Sequence, residues 1–180
     1  MSSSRHLTLV QRVQHRIAHT TIAPSTLRSQ GARGVVGKAR GFLATLRLGK
    51  LTHIKIDDYQ NILDAWTRQL AASFPGRAKG NWGAARKAIN VFMVAAYFNK
   101  VLAYKYKLAR FKDVLETPLD NLAAKEIKKR AKSAGRSLPK FETIKRLRPE
   151  VSHKYQLYAS EVARNEGLHR AEVDLILWRS

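Results

Sequence analysis

The stretch "GNWGAARKAINVFMVAAYFNKVLAYKYKL", residues 80–108, constrains this chain more than any other. On a helical wheel Lys87, Asn90, Val94, Tyr97, Val101 and Tyr104 fall along one stripe, while Ile89, Phe92, Ala96 and Phe98 cover much of the rest. A helix apolar nearly all round is a buried one, so the other elements must surround it. Residues 91–98 have the composition of a buried strand as well, but their helix-favouring neighbours argue for a helix. Burying Asn90 is costly unless its amide is hydrogen-bonded. Arg86, Lys87, Asn90 and Tyr97 are therefore the polar groups that such a core must satisfy or display.

The flanking segments predict an all-α domain of about five helices over residues 52–180. "IDDYQNILDAWTRQLAASF" places Tyr59, Ile62, Leu63, Trp66 and Leu70 on one face, with two aspartates in its first turn complementing the helix dipole. Thr117 before Pro118, with Asp120 three residues on, signals the start of a helix through Ser133. Pro149 suits the first turn of a helix to about Asn165, stopped at Gly167. "HRAEVDLILWRS" forms a short closing segment.

Residues 1–51 read differently. The first acidic residue is Asp57, and ten Lys or Arg precede it. An Arg-rich, Ser-rich, acid-free segment describes a basic arm that folds along a phosphate backbone. It equally describes a mitochondrial transit peptide, and a packed first subdomain is the third reading. Leu7, Val10, Val13 and Ile17 recur at helical spacing, so partial helicity is expected near residues 6–19, and again over residues 35–48. The arm reading goes with a cytoplasmic or nucleoid-associated protein; the targeting reading makes it mitochondrial.

Charge then points to the partner. The 180 residues contain 34 Lys and Arg against 13 Asp and Glu, a formal net charge of +21. Such an excess repels itself in a compact state unless a polyanion neutralises it, and nucleic acid is the commonest such partner. Lys125, Lys128, Lys129, Lys132 and Arg136 make one cationic stripe on a helix whose other side is apolar. Lys145 and Arg146 continue the charge into the basic connection "GRSLPKFETIKRLRPE", as do Lys140 and Arg148. Arg86, Lys105 and Lys107 are further candidate contacts, the last two beside Tyr104 and Tyr106, which could stack on unpaired bases. Whether the partner is DNA or RNA is open.

Catalytic signals are sparse. The chain has no cysteine, which excludes a thiol nucleophile and thiolate-bound zinc. No metal-ligand spacing stands out, no cofactor is expected, and the longest apolar run falls well short of the roughly 20 residues that span a bilayer. "EVDLILW", residues 172–178, is similar to the segment bearing the essential aspartate of helix-hairpin-helix DNA glycosylases. That resemblance implies that Asp174 would stabilise an oxocarbenium-like sugar, with Lys87 as the amine that forms a Schiff base. "RPEVSH" and "RNEGLH" resemble the Arg–His spacing of helical HEPN ribonucleases, which would implicate His153 or His169. Three functions result: a nucleic-acid-binding protein, a small helical enzyme acting on nucleic acid, or a structural component of a ribonucleoprotein.

Overall fold

The computed structural model describes residues 7–30 and 32–177; the outermost residues of the expected arm and tail lie outside this range. The described residues form eight α-helices and no strand, so the chain is all-α; six of the helices lie in residues 52–180, where about five are expected, and two fall in the segment expected to be partly helical. The largest departure from expectation is at the N-terminus. Helix α1 (Leu9–Thr21) and helix α2 (Val35–Ala44) are packed elements rather than a loose arm. Thr8 and Gln11 cap α1 reciprocally: the Thr8 hydroxyl accepts from the Gln11 N–H, and the Gln11 side chain accepts from the Thr8 N–H.

The face of α1 that goes inward carries Val10, Val13 and Ile17, partly buried against the core as their spacing predicts. Gln14 and Ala18 are buried, whereas Leu7 and Leu9 are exposed. Ala18 on α1 and Ala39 on α2 are both fully covered, and their small side chains let the helices approach closely. Polar side chains then fasten the segment. Gln14 Nε2 donates to the carbonyls of Leu43 and Leu46 at 2.9 and 2.8 Å. Arg40 Nε donates to the Ile22 carbonyl at 2.8 Å.

Helix α3 (Tyr59–Ser73) buries Tyr59, Leu63, Trp66 and Leu70, the face that its periodicity predicts. The helix at the centre, α4 (Trp82–Phe98), is buried without interruption from Gly83 to Asn90. Both ends reach the surface, Trp82 half-buried at the start and Phe98 about half exposed at the finish. The long helix expected to run on to residue 108 breaks at Asn99. That residue ends α4 and caps α5 (Lys100–Tyr106), its side-chain oxygen accepting from the Val101 and Leu102 N–H groups at 3.1 Å each. Helices α1 to α5 share one apolar core.

A second core lies between α6 (Asn121–Ser133), α7 (Pro149–Asn165) and α8 (Val173–Leu177), around Ile127, Tyr155, Ala159 and Val173. Pro149 opens α7 and Gly167, at φ +66°, follows its end, both as the sequence suggests. Helix α6 ends at Ser133 as expected but starts later. Its cap is Asp120, not Thr117, and Asp120 Oδ1 accepts from the Leu122 and Ala123 N–H groups.

The two cores interlock. Trp82 of α4 packs against the second, while Ile144 and Ala171 pack into the first. At Gly83 the contact is backbone to backbone: a Cβ there would stand 2.0 Å from the Ile144 carbonyl oxygen and 2.9 Å from Leu147 Cβ. Between the cores runs the connection 112–120, buried from Leu115 to Leu119. A buried non-helical backbone needs partners for its polar groups, and side chains supply them. Gln156 accepts from the Thr117 N–H at 3.0 Å and donates to the Thr117 carbonyl at 2.8 Å. Arg170 donates to the carbonyls of Leu115 and Val114.

Candidate functional site

Arg86 and Lys87 stand side by side on α4, and the fold gives them different neighbours. Arg86 is 3% exposed. Its Nε and NH2 grip both oxygens of Glu116, at 2.8 and 3.1 Å. Its NH1 reaches Asp64 at 2.8 Å and the Thr67 hydroxyl at 2.9 Å. Asn90 Nδ2 donates to Glu116 as well, at 2.9 Å. The forked guanidinium and carboxylate make a strong charge-assisted pair, and the surrounding groups complete most of its hydrogen bonding. Arg86 thus belongs to the interior, and the expectation that it contacts phosphate is corrected by its burial. Two atoms of this region lack a partner, Tyr59 Oη and Asn90 Oδ1. Burial, with Glu116 nearby, raises the Tyr59 pKa and keeps the phenol protonated.

Lys87 is 8% exposed and its Nζ donates to Asp120 Oδ2 at 3.2 Å. Asp120 therefore has two tasks, capping α6 with one oxygen and pairing with Lys87 through the other. Asp174 of α8 lies within electrostatic reach of both. Burial raises its pKa first, repulsion from Asp120 adds to this, and Lys87 opposes it. Asp120, which sequence reasoning treated only as a helix-start signal, thus pairs with the amine singled out in the sequence and shares a cleft wall with the carboxyl. Two clefts adjoin there: one of about 510 Å³ lined by Asp120, Lys125, Lys129 and Asp174, and one of about 500 Å³ lined by Arg28, Lys87, Asp120 and Lys145. Ser25, Thr26, Gln30 and Thr143 add polar groups to the second of these.

The cations of α6 and of the strap 139–148 surround the same region. Lys125, Lys128, Lys129 and Lys132 are exposed on α6. Among the described residues Lys125, Lys128 and Lys132 form no ion pair; Lys129 approaches Glu126 at 3.9 Å, and Arg136 reaches Glu161 at 3.3 Å. Lys125 and Lys128 share a hollow with Phe141 and Glu142. Phe141 also lines a cleft of about 700 Å³, with Trp82, Lys140, Lys145, Arg146 and Arg148 among others. Lys145 lines this cleft and the one holding Lys87, so the depressions adjoin. The acid of the strap is Glu142, held below the usual carboxylate range by its 2.8 Å contact with Arg146.

Lys105 and Lys107 are exposed at the end of α5, which packs on α1 and α4, and they line none of these clefts. Tyr104 beside them is 88% exposed, whereas Phe111 is fully buried. Of the histidines, His153 is exposed on α7, and His169 Nδ1 contacts Asp113 at 2.9 Å. Trp178, the aromatic of the glycosylase-like segment, lies outside the described residues. Sequence reasoning missed Trp82, Arg28 and Asp120 as cleft residues. For Trp82 a signal existed: it is the large aromatic at the exposed end of a helix otherwise buried. No group of His, Asp and Glu among the described residues could hold a metal ion, and no helix there is long and apolar enough to cross a membrane. Comparison with protein-family models, with curated proteins and with solved structures finds no match to this chain.

Proposed function

We propose that the protein binds nucleic acid through the lysine face of α6 and the strap 139–148. One observation carries the reading: the exposed cations of these two elements border clefts that share lining residues, so they act on one ligand rather than as separate solvated faces. A phosphate backbone is the extended anion that such a surface suits. Affinity for a DNA or RNA oligonucleotide should fall linearly on a log–log plot as salt is raised, and an affinity flat in salt would sink the proposal. Changing Lys128, Lys129 and Lys132 together to Glu should abolish binding without unfolding the protein, since all three are exposed. Identifying the DNA, RNA or ribonucleoprotein particle that co-purifies with the chain separates a free binding protein from a structural component.

A second reading is favoured by Asp120, which pairs with Lys87 and lines one cleft with Asp174. On it, the same surface delivers a strand to an amine and a carboxyl that act on the sugar or base. Asp174→Asn should then leave binding intact and stop base release or strand scission from a labelled oligonucleotide. If wild type and variant alike leave the oligonucleotide unchanged, the enzymatic reading goes and the binding reading stays.

A further inference from the structure

The cleft beside Trp82 differs from the two clefts that hold Lys87 and Asp174 in having aromatic side chains in its walls. Trp82 and Phe141 are both half-buried there. Their positions are fixed from behind: the Arg86 guanidinium sits 5.0 Å from the Trp82 ring centre, and Phe141 meets the Tyr155 ring edge-on at 5.8 Å. The strap that forms the opposite wall is seated on the α4 backbone at Gly83, with no room for even a methyl group between them. Lys140, Lys145 and Arg148 stand exposed around the opening and form no ion pair among the described residues, while Arg146 holds Glu142.

This combination discriminates between forms of nucleic acid. A duplex keeps its base faces stacked inside and meets a concave surface with backbone alone. An unpaired base presents a π-face that an aromatic wall can cover, while the flanking phosphates meet the cations. A volume of about 700 Å³ accommodates a nucleotide. We propose that this cleft takes an unpaired nucleotide of a single strand, its base against Trp82 and Phe141 and its phosphates on Lys145 and Arg148. The assignment rests on the nucleic-acid reading above and narrows it to single-stranded segments.

The test is fluorescence anisotropy with the full chain and three labelled probes at one salt concentration: an oligothymidylate, an oligouridylate and a mixed-sequence duplex of equal length. Wild type should bind at least one single strand more tightly than the duplex. Phe141→Leu, which keeps apolar bulk and removes the ring, should weaken single-strand binding about ten-fold, the worth of one stacked base, and leave duplex binding within about two-fold. Trp82→Leu should do the same; if it fails to fold, Phe141→Leu decides alone. Unchanged single-strand affinity in the folded variants, or equal loss on both forms, overturns the cleft assignment while nucleic-acid binding stands. Absence of salt-dependent binding of every probe by wild type overturns both.

Discussion

Residues 112–120 and 139–148 both connect helices without containing an α-helix, and they are opposites in charge and in burial. The first holds Asp113, Glu116 and Asp120 against Lys112; the second holds Lys140, Lys145, Arg146 and Arg148 against Glu142. The acidic connection is drawn inside, where Arg86, Gln156 and Arg170 satisfy its carboxylate and its backbone. The basic one stays outside, with most of its cations unopposed by acid. In a chain with so few acids, interior cations take up several of them, and what remains on the strap is positive. Position relative to the core, rather than residue type, separates the charges that hold the fold from those offered to a ligand.

Breaking the interior partner should have the largest effect. Glu116→Ala leaves the Arg86 guanidinium buried without its main counter-charge and should cost about 3–5 kcal/mol in urea unfolding. A cost under about 1 kcal/mol, the range of surface pairs, would show that the two connections do not differ as described. The strap should respond in the reverse sense. Lys145→Glu with Arg148→Glu should change stability by no more than about 0.5 kcal/mol, as exposed substitutions do. The same pair should lower affinity for single strands at least about ten-fold, because contacts to phosphate are replaced by repulsion.

Asp174 sharpens the boundary between the two regimes. Its folded-state pKa lies above that of the unfolded chain, so the stability it contributes is fully present below the ordinary carboxylate range. That stability is lost as pH rises through the folded value. Asp174→Asn should therefore be more stable than wild type at neutral pH, with the gain shrinking as the solution is acidified through the carboxylate range. A variant less stable at neutral pH would mean that Lys87 outweighs burial. The smallest effect is expected at Tyr59, whose hydroxyl is buried without a partner. Tyr59→Phe removes an unsatisfied group and should be neutral or stabilising by about 1 kcal/mol in thermal or urea unfolding.

How much of this was legible in the sequence depended on whether the signal was local. The burial of α4 follows from an apolar surface all round the wheel, and the limits of α7 follow from Pro149 and Gly167. The fate of residues 7–51 was not legible, because composition averages over faces. Most of the arginines and lysines there line the outside, while Ile22, Val35, Leu43, Leu48 and Leu51 are buried together with Ala18, Ala39 and Gln14, an inward set that the charge of the whole segment conceals. The break at Asn99 was missed because its carboxamide competes with the backbone locally, which an apolar wheel does not register. Asp120 read as part of a helix start, and its pairing with Lys87 joins positions 33 residues apart that no spacing rule links. The candidate site was thus visible as a set of residue types, while its assembly around one carboxylate was a property of the tertiary fold.

The seating of Ala171 in the first core, beside Arg170 on the buried connection, has a consequence for how the chain is made. A ribosome releases α1 to α5 long before it releases residues 170 and 171. Until then the carbonyls of Val114 and Leu115 lack the arginine they bond to in the finished protein, and the Lys112 carbonyl lacks the Ala171 N–H. The first helices can associate early, but their core is closed only by residues 170 and 171. Nascent protein should stay protease-sensitive around residues 112–117 until residues 170–171 have emerged from the exit tunnel.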